Sequence, residues 1–481
     1  MACQLDALQR CLTVASLKKT LLALPKTLYD TYDRILLSID HAYHPQAIKV
    51  FQWLVVARRP MYIEEVAEVV TILPTASSGM PVFDVDNRLS DPSDVFQICL
   101  SLVSAATTTD ARRQNGQLVP AEILSLAHFS VKEYLTSEAI KDGPCSEFFV
   151  IESQAHMSIS QACIAYLLDI DSPASDTKHP LANYAANFWN VHAELGLESK
   201  DCSVLVDRIV ELLGSTRAMS NVHSLCKPHY PAHSLTEKPA LHWATQYGLS
   251  TVVEKILRGT ENINMRDSVG RTALHIAIQF RQEKIATFLI QNGIDIDAQD
   301  LIGTALHYAV HTEDVSIVQT LLDGKADPDT RIAQRMTPLY SAAQRNNLDI
   351  VKALLAHGAS PNAPCRLTYA GGTTTESHKG QRRARDAVNS QHMGTALQVA
   401  AWRGFSRVAA ALLDAGAVIE NPQLVLLSEG QVQEALEALE AAGEFQYHFL
   451  NQLPDYRDTV AVLQSHRNKR HIEVQRHSTG S

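Results

Sequence analysis

The chain has 481 residues, 46% of them apolar and 20% charged, with a formal net charge of −10. That is too apolar for a disordered chain and long enough for two to four domains of about 100–200 residues. The acidic balance argues against wholesale attraction to phosphate backbones or anionic lipid. The longest apolar run, from Ile98 to Ala106, falls far short of the ~20 residues of a membrane span and fits one buried strand or a short helix. No basic-then-apolar leader opens the sequence, which predicts a cytosolic address. Eight scattered cysteines, none in a C-x-x-C pair, read as reduced and mostly buried thiols.

Residues 1–70 read as helices. Leu28, Tyr32 and Ile35 recur at spacings of four and three, and Pro45 opens a second helix through Phe51, Leu54 and Val55 that Arg59-Pro60 ends. Ile63 to Val70 makes a third. After a polar stretch the runs Ile98–Ala106 and Ile123–Ala127 read as strands flanking a loop, the second leading into His128-Phe-Ser-Val-Lys-Glu-Tyr-Leu135. Three helices followed by two strand-like runs is the order of a winged helix. Residues 25–140 hold 9 basic and 14 acidic residues, and Glu64, Glu65 and Glu68 cluster on the third helix. A DNA reader needs a basic face, so a winged-helix DNA-binding regulator stands as the weaker alternative.

Leu24-Pro-Lys-Thr-Leu28, Thr31-Tyr-Asp-Arg-Ile-Leu36, Arg59-Pro60 with Glu64-Glu65, and His128 to Leu135 resemble the region after the nucleotide-binding domain in fungal-type NACHT–ankyrin proteins, signalling NTPases of the STAND, NOD-like receptor type. The resemblance continues through Ala162–Leu168 and Leu181–Trp189, a helical connector. It implies an ankyrin sensor and a winged helix that helps hold an NTPase closed. The family's P-loop, G-x-x-x-x-G-K-[ST], is missing, so nothing here cradles a nucleotide's phosphates and no cofactor is expected. Met1 to Cys11 is similar to the tail of the NTPase module entered partway. The chain thus reads as the signalling half of such a receptor, whether a natural truncation or a gene read from too late a start.

From residue 238 one phrase recurs: Pro239-Ala-Leu-His-Trp-Ala244, Thr272-Ala-Leu-His-Ile-Ala277, Thr304-Ala-Leu-His-Tyr-Ala309, Thr337-Pro-Leu-Tyr-Ser-Ala342 and Thr395-Ala-Leu-Gln-Val-Ala400. Its leucines are 33, 32, 33 and 58 residues apart, the last gap holding a 25-residue insertion. The period and the phrase resemble the ankyrin repeat. Thr caps the inner helix, the small Ala admits the neighbouring repeat, and Gly293, Gly358 and Gly416 end outer helices in the left-handed conformation. The resemblance implies contact positions at the ends of the inner helices: Gln246 and Tyr247, Gln279 and Phe280, His311 and Thr312, Gln344 and Arg345, Trp402 and Arg403. The segment 364–393, which contains the insertion, carries Lys379, Arg382, Arg383 and Arg385, which leaves the nucleus as a second address.

Two chemical constellations are set aside. His242, His275 and His307 recur once per repeat, too far apart to share an ion, and are expected to hydrogen-bond at the helix start. His223, Cys226, His229 and His233 match no familiar zinc spacing, and no G-x-S-x-G or H-E-x-x-H occurs. His128 is expected to secure the strand-to-helix join. The expected architecture is mainly α: 1–24 a remnant helix of the NACHT region, 25–140 winged-helix-like, 141–237 a helical connector, 238–420 five ankyrin repeats, 421–456 capping helices and 457–481 a disordered tail. The expected role is a non-enzymatic scaffold or regulator, without metal, cofactor or membrane, that binds a partner protein through the array. The alternative is the C-terminal part of a NACHT-type NTPase.

Overall fold

The computed structural model describes residues 13, 27–74, 81–114, 117–170, 179–198, 202–226, 238–259, 262–332, 336–366, 393–418, 462 and 465. The expected remnant helix, capping helices and most of the tail and insertion lie outside these residues, as do His229 and His233. The chain divides into two compact units, Met1–Gly259 and Thr260–Ser481.

The first unit opens with α1 (Leu28–Leu36), started by a capping box in which Thr27 and Asp30 exchange side-chain-to-backbone bonds of 3.0 Å. Its buried residues are Thr31, Tyr32 and Leu36. The expected Leu28–Tyr32–Ile35 stripe is therefore corrected: Leu28 is 49% exposed. Helix α2 (His44–Val56), with Pro45 in its first turn, is followed by strand β1 (Met61–Tyr62) and α3 (Ile63–Val69). The polar stretch holds more than a loop, namely a small hairpin of β2 (Ile72–Pro74) and β3 (Pro81–Phe83) and the short helix α4 (Val95–Cys99). A long hairpin, β4 (Val103–Gln114) and β5 (Gln117–Leu126), completes a three-stranded antiparallel sheet ordered β1-β5-β4. The apolar run from Ile98 is thus neither one strand nor one helix. It breaks at Leu100, whose φ of 51° stops α4 before β4 begins.

His128 caps α5 (Phe129–Leu135), its Nδ1 accepting from Ser130 N at 3.2 Å, while Ser130 Oγ lies 2.7 Å from both that nitrogen and the Tyr32 hydroxyl. After α6 (Glu138–Lys141) come the connector helices α7 (Glu152–Asp169), α8 (Ala182–Gly196), α9 (Ser203–Gly214) and α10 (Thr216–Cys226). Helices α7 and α8 pack at Gly196, where a Cβ would fall 2.7 Å from Met157 Cα; no larger residue permits that approach. The unit ends with a helix pair, α11 (Ala240–Gln246) and α12 (Ser250–Gly259), both packed on α9.

Glu65 and Glu68 are not an acidic outer face. Glu65 is fully buried and Glu68 is 1% exposed. Arg59 grips Glu65 with two bonds of 2.7 and 2.6 Å, and its guanidinium lies over the rings of Tyr62 and Tyr184. Arg88 grips Glu68 in the same two-armed way, and Tyr166 on α7 donates to that carboxylate at 2.9 Å. A carboxylate this deep is tolerable only with its charge paired and its lone pairs occupied. The acids that signalled a solvated face fasten α3 to the connector instead.

Among its described residues the second unit shows four helix pairs: α13 (Ala273–Gln279) with α14 (Glu283–Gln291), α15 (Ala305–Thr312) with α16 (Val315–Asp323), α17 (Pro338–Gln344) with α18 (Leu348–Ala356), and α19 (Ala396–Trp402) with α20 (Ser406–Asp414). A short bridge of β6 (Cys365–Arg366) and β7 (Met393–Gly394) closes the ends of the insertion. The periodic leucines Leu274, Leu306, Leu339 and Leu397 are at most 1% exposed, and with Ala277, Ala309, Ala342 and Ala400 they form the core between successive pairs. Inner helix packs on inner helix, as α13 on α15 and α15 on α17. Each pair alone would leave these faces wet, so the stack is the stable object.

Candidate partner-binding surface

Two sets of hydrogen bonds link neighbouring repeats of the array. In the first, Thr272 N–H donates to His275 Nδ1 at 3.2 Å, which leaves Nε2–H to donate to the Gly303 carbonyl of the next repeat at 3.1 Å. His307 copies this with Thr304 N–H at 3.3 Å and the Met336 carbonyl at 3.2 Å. Both ring nitrogens are occupied, and burial pushes His307 down to about 4 and His275 in the same direction. These histidines are structural pins. In the first repeat Pro239 stands where Thr belongs, so no hydroxyl caps α11.

Sequence reading missed the second set. The side chains of Asn264, Asp297, Asp329 and Asn362 accept the backbone N–H of Asp295, Asp327, Ser360 and Val418 at 2.8, 3.0, 2.9 and 2.8 Å. The acceptors stand 33, 32 and 33 residues apart, the same period as the leucines. That spacing was the available signal. It tied each hairpin turn to the next, hidden because Asn and Asp also read as ordinary turn residues.

The predicted contact positions fall into three kinds. Tyr247 is engaged within its own unit: its ring meets Trp189 edge-on at 5.1 Å and stacks on Trp243 at 6.1 Å, and burial raises its phenol above the usual range. Gln246 accepts from Lys238 Nζ at 3.0 Å. Tyr247 thus joins the first helix pair to the connector, a role that the repeat phrase alone could not reveal. In the second unit, Gln279 accepts from Arg271 at 3.0 Å and Phe280 is 41% exposed. Thr312 is turned inward, its hydroxyl on the Ala309 carbonyl at 3.0 Å, whereas His311 and Arg345 are exposed and bonded to each other. Gln344 and Arg403 are half-buried, and Arg403 Nε is buried without a hydrogen-bond partner among the described residues. Trp402 closes α19, its side chain outside the described atoms.

Among the described side chains, the exposed part of the row is therefore Gln279, Phe280, His311 and Arg345, on three consecutive repeats. Each sits where an inner helix runs into the turn before its outer helix. Among the described residues no group of three or more His, Cys, Asp or Glu could hold a metal ion, and no helix is long and apolar enough to cross a membrane.

Comparison with known proteins agrees with the array. Family models of ankyrin repeats match residues 209–300 and 302–365 in three-copy form and 281–322 in many-copy form. The match starts inside α9, ahead of the first repeat phrase, and stops at residue 365, just inside the 364–393 segment. Azaphilone pigments biosynthesis cluster protein L of Monascus ruber is 32% identical over 197 residues, 40% of this chain and 39% of that protein. The B-cell lymphoma 3 protein homolog of Mus musculus is 30% identical over 155 residues, 31% of this chain and 34% of its own. Neurogenic locus notch homolog protein 1 of Danio rerio is 32% identical over 127 residues, 26% of this chain and 5% of its own. The chain thus spans well under half the length of these relatives. It carries ankyrin repeats, and they support a role in protein–protein interaction.

Proposed function

We propose that this chain is a non-enzymatic scaffold or regulator of the cytosol that captures another protein on the inner-helix ends of its ankyrin array. One observation carries this reading. Helix α13 buries six residues in succession, Ala273 to Ile278, and then leaves the ring of Phe280 41% exposed beside exposed Gln279. Packing does not require an aromatic there, and aromatics and arginines are the side chains that most often dominate an interface. The Monascus relative is named for a biosynthetic cluster and not for a reaction, which suits a chain that acts by contact.

The test is capture from native extract by the whole chain against the Phe280→Ala/Arg345→Ala double variant. Loss of a specific band with unchanged helix content supports the surface. Undiminished capture removes it. A second reading, the output half of a NACHT-type NTPase, is favoured by the sheet order β1-β5-β4 with helices before and between its strands, the winged-helix order that the sequence resemblance implies. Its test is a transcript that extends upstream and encodes a P-loop. The DNA-reading alternative has lost one counter-argument, since Glu65 and Glu68 are buried, but nothing in the described residues speaks for it.

A further inference from the structure

We propose that the outer edge of β4 pairs antiparallel with the same edge of a second copy of this chain, joining the two sheets into one. The edge belongs to the first unit, so its pairing does not depend on the array reading above. In the order β1-β5-β4, β4 has a neighbouring strand on one side only. The direction of its backbone groups follows from the ladder. Ala127 N–H donates to the Leu102 carbonyl at 2.9 Å, and Val103 stands opposite Leu126, Ser104 opposite Ser125 and Ala105 opposite Leu124. Bonded and unbonded positions alternate along an antiparallel pair. Leu102, Ser104 and Ala106 therefore face β5, while Ala105 and Thr107 turn their N–H and C=O outward. Among the described residues nothing bonds those outward groups.

A bare sheet edge invites pairing, and proteins guard such edges with very short strands, charges, proline or bulges. The other strands of this sheet are guarded. Strand β1 is two residues long and runs directly into α3, and Pro120 and Glu122 interrupt the length of β5 that β1 leaves uncovered. Strand β4 is not. From Val103 to Thr109 it reads Val-Ser-Ala-Ala-Thr-Thr-Thr, without a charge or a proline, and its first irregularity is the register shift between Thr108 and Arg112. Ser104, Ala105, Ala106 and Thr107 are all exposed. Successive residues of a strand point to opposite faces, so both faces are bare along this stretch.

The edge itself selects the occupant. Serine, alanine and threonine side chains are too small to form pockets that read a foreign sequence, which leaves recognition to the backbone. A second copy meets that requirement with matched groups. About a two-fold axis at Ala106, each Ala105 stands opposite Thr107 of the second copy. Both positions point their N–H and C=O outward, so the bonds close reciprocally. Ala106 faces its own counterpart, and Ser104 faces Thr108, a favourable cross-strand pair. Antiparallel pairing also sends the arginines at 112 and 113 of the two copies to opposite ends, whereas parallel pairing would align like charges. So short an edge buries far less than the ~1,200 Å² of a stable complex, which makes the pairing weak and concentration-dependent.

The experiment is sedimentation equilibrium of the full chain from micromolar to near-millimolar concentration, where a monomer–dimer equilibrium is expected. Ala105→Pro removes the outward N–H of each copy and spares the ladder to β5, which does not use it. It should weaken association roughly tenfold or more, the loss of two hydrogen bonds. Ala106→Lys and Ala106→Glu each set like charges face to face across the axis and should abolish the dimer, and their equimolar mixture should restore it. A chain that stays monomeric throughout overturns the pairing. So does a dimer indifferent to Ala105→Pro and to both Ala106 variants, because it then forms on another surface. A mixture that remains monomeric, with both variants folded by circular dichroism, overturns it too. If wild type is monomeric and Ala105→Pro loses capture of a protein from native extract, the edge belongs to a foreign strand and the second copy is overturned as its occupant.

Discussion

The two units bury polar groups by opposite rules. In the first, the polar groups are buried in contacts that follow no sequence period: Arg59 on Glu65, Arg88 and Tyr166 on Glu68, and a chain through the connector histidines. In that chain Arg58 N–H donates to the Tyr184 hydroxyl at 3.2 Å, Tyr184 pairs with His192 Nε2 at 2.9 Å, and His192 Nδ1 pairs with His156 Nδ1 at 2.8 Å. Because Tyr184 oxygen accepts from Arg58, its own proton goes to His192, whose remaining N–H goes to His156. In the second unit solutions are copied, with Thr–His pins in two successive repeats and Asn/Asp turn acceptors at each period. A stack meets the same interface problem at every step and can reuse the answer. A globular unit meets a different problem at each contact.

The contrast can be broken at three points. The largest effect is expected for Glu65→Ala, which strands the Arg59 charge: a loss of about 3 kcal/mol, near the low end for a broken buried pair because Arg59 keeps some solvent contact. Amide exchange should then accelerate in residues 27–226, around the broken pair. Unchanged exchange there would remove the Arg59–Glu65 pair from the account of that unit's stability.

Acidification comes next and should strike both units. Burial holds His192 at about 3 and His307 at about 4, and lowers His156 and His275 as well. Each folded value lies below the unfolded one near 6.5, so the unfolded chain takes up protons first. Stability is fully present above about pH 6.5 and falls below it, by about 1.4 kcal/mol per pH unit for each such histidine until its folded value is reached. Urea midpoints at pH 7, 6 and 5 should decline, and His307→Gln should flatten the decline for the array by one proton. An unchanged slope in that variant would remove the pin from the explanation.

The smallest effect is Asp329→Ala, which frees Ser360 N–H from contacts of 2.9 and 3.1 Å at the array's edge. About 1 kcal/mol should be lost. If the turns were held by their backbone alone, exchange at Ser360 would not change.

Legibility followed the same divide. The leucines, threonines and helix-ending glycines of the array could be read because one residue type recurs at one spacing; even so, Lys325, with φ of 66°, takes the left-handed helix end in the repeat where glycine falls one place early. In the first unit, Glu65 and Glu68 read as surface because residue type alone signals charge, and their partner arginines stand 6 and 20 residues away with no pattern to announce them. The exposed row was only partly legible. Tyr247 and Phe280 hold the same place in the phrase, yet Tyr247 meets Trp189, 58 residues earlier in the chain.

By itself, then, the sequence determined the helical period, the capping threonines and the repeated core, since each depends on neighbours within one turn or one repeat. Tertiary structure alone decided which acids are buried, which of the predicted contact residues are already engaged, and where left-handed backbone carries a charged side chain. Those outcomes depend on which distant residue fills the remaining side of a side chain, and a single strand of letters does not contain that distance.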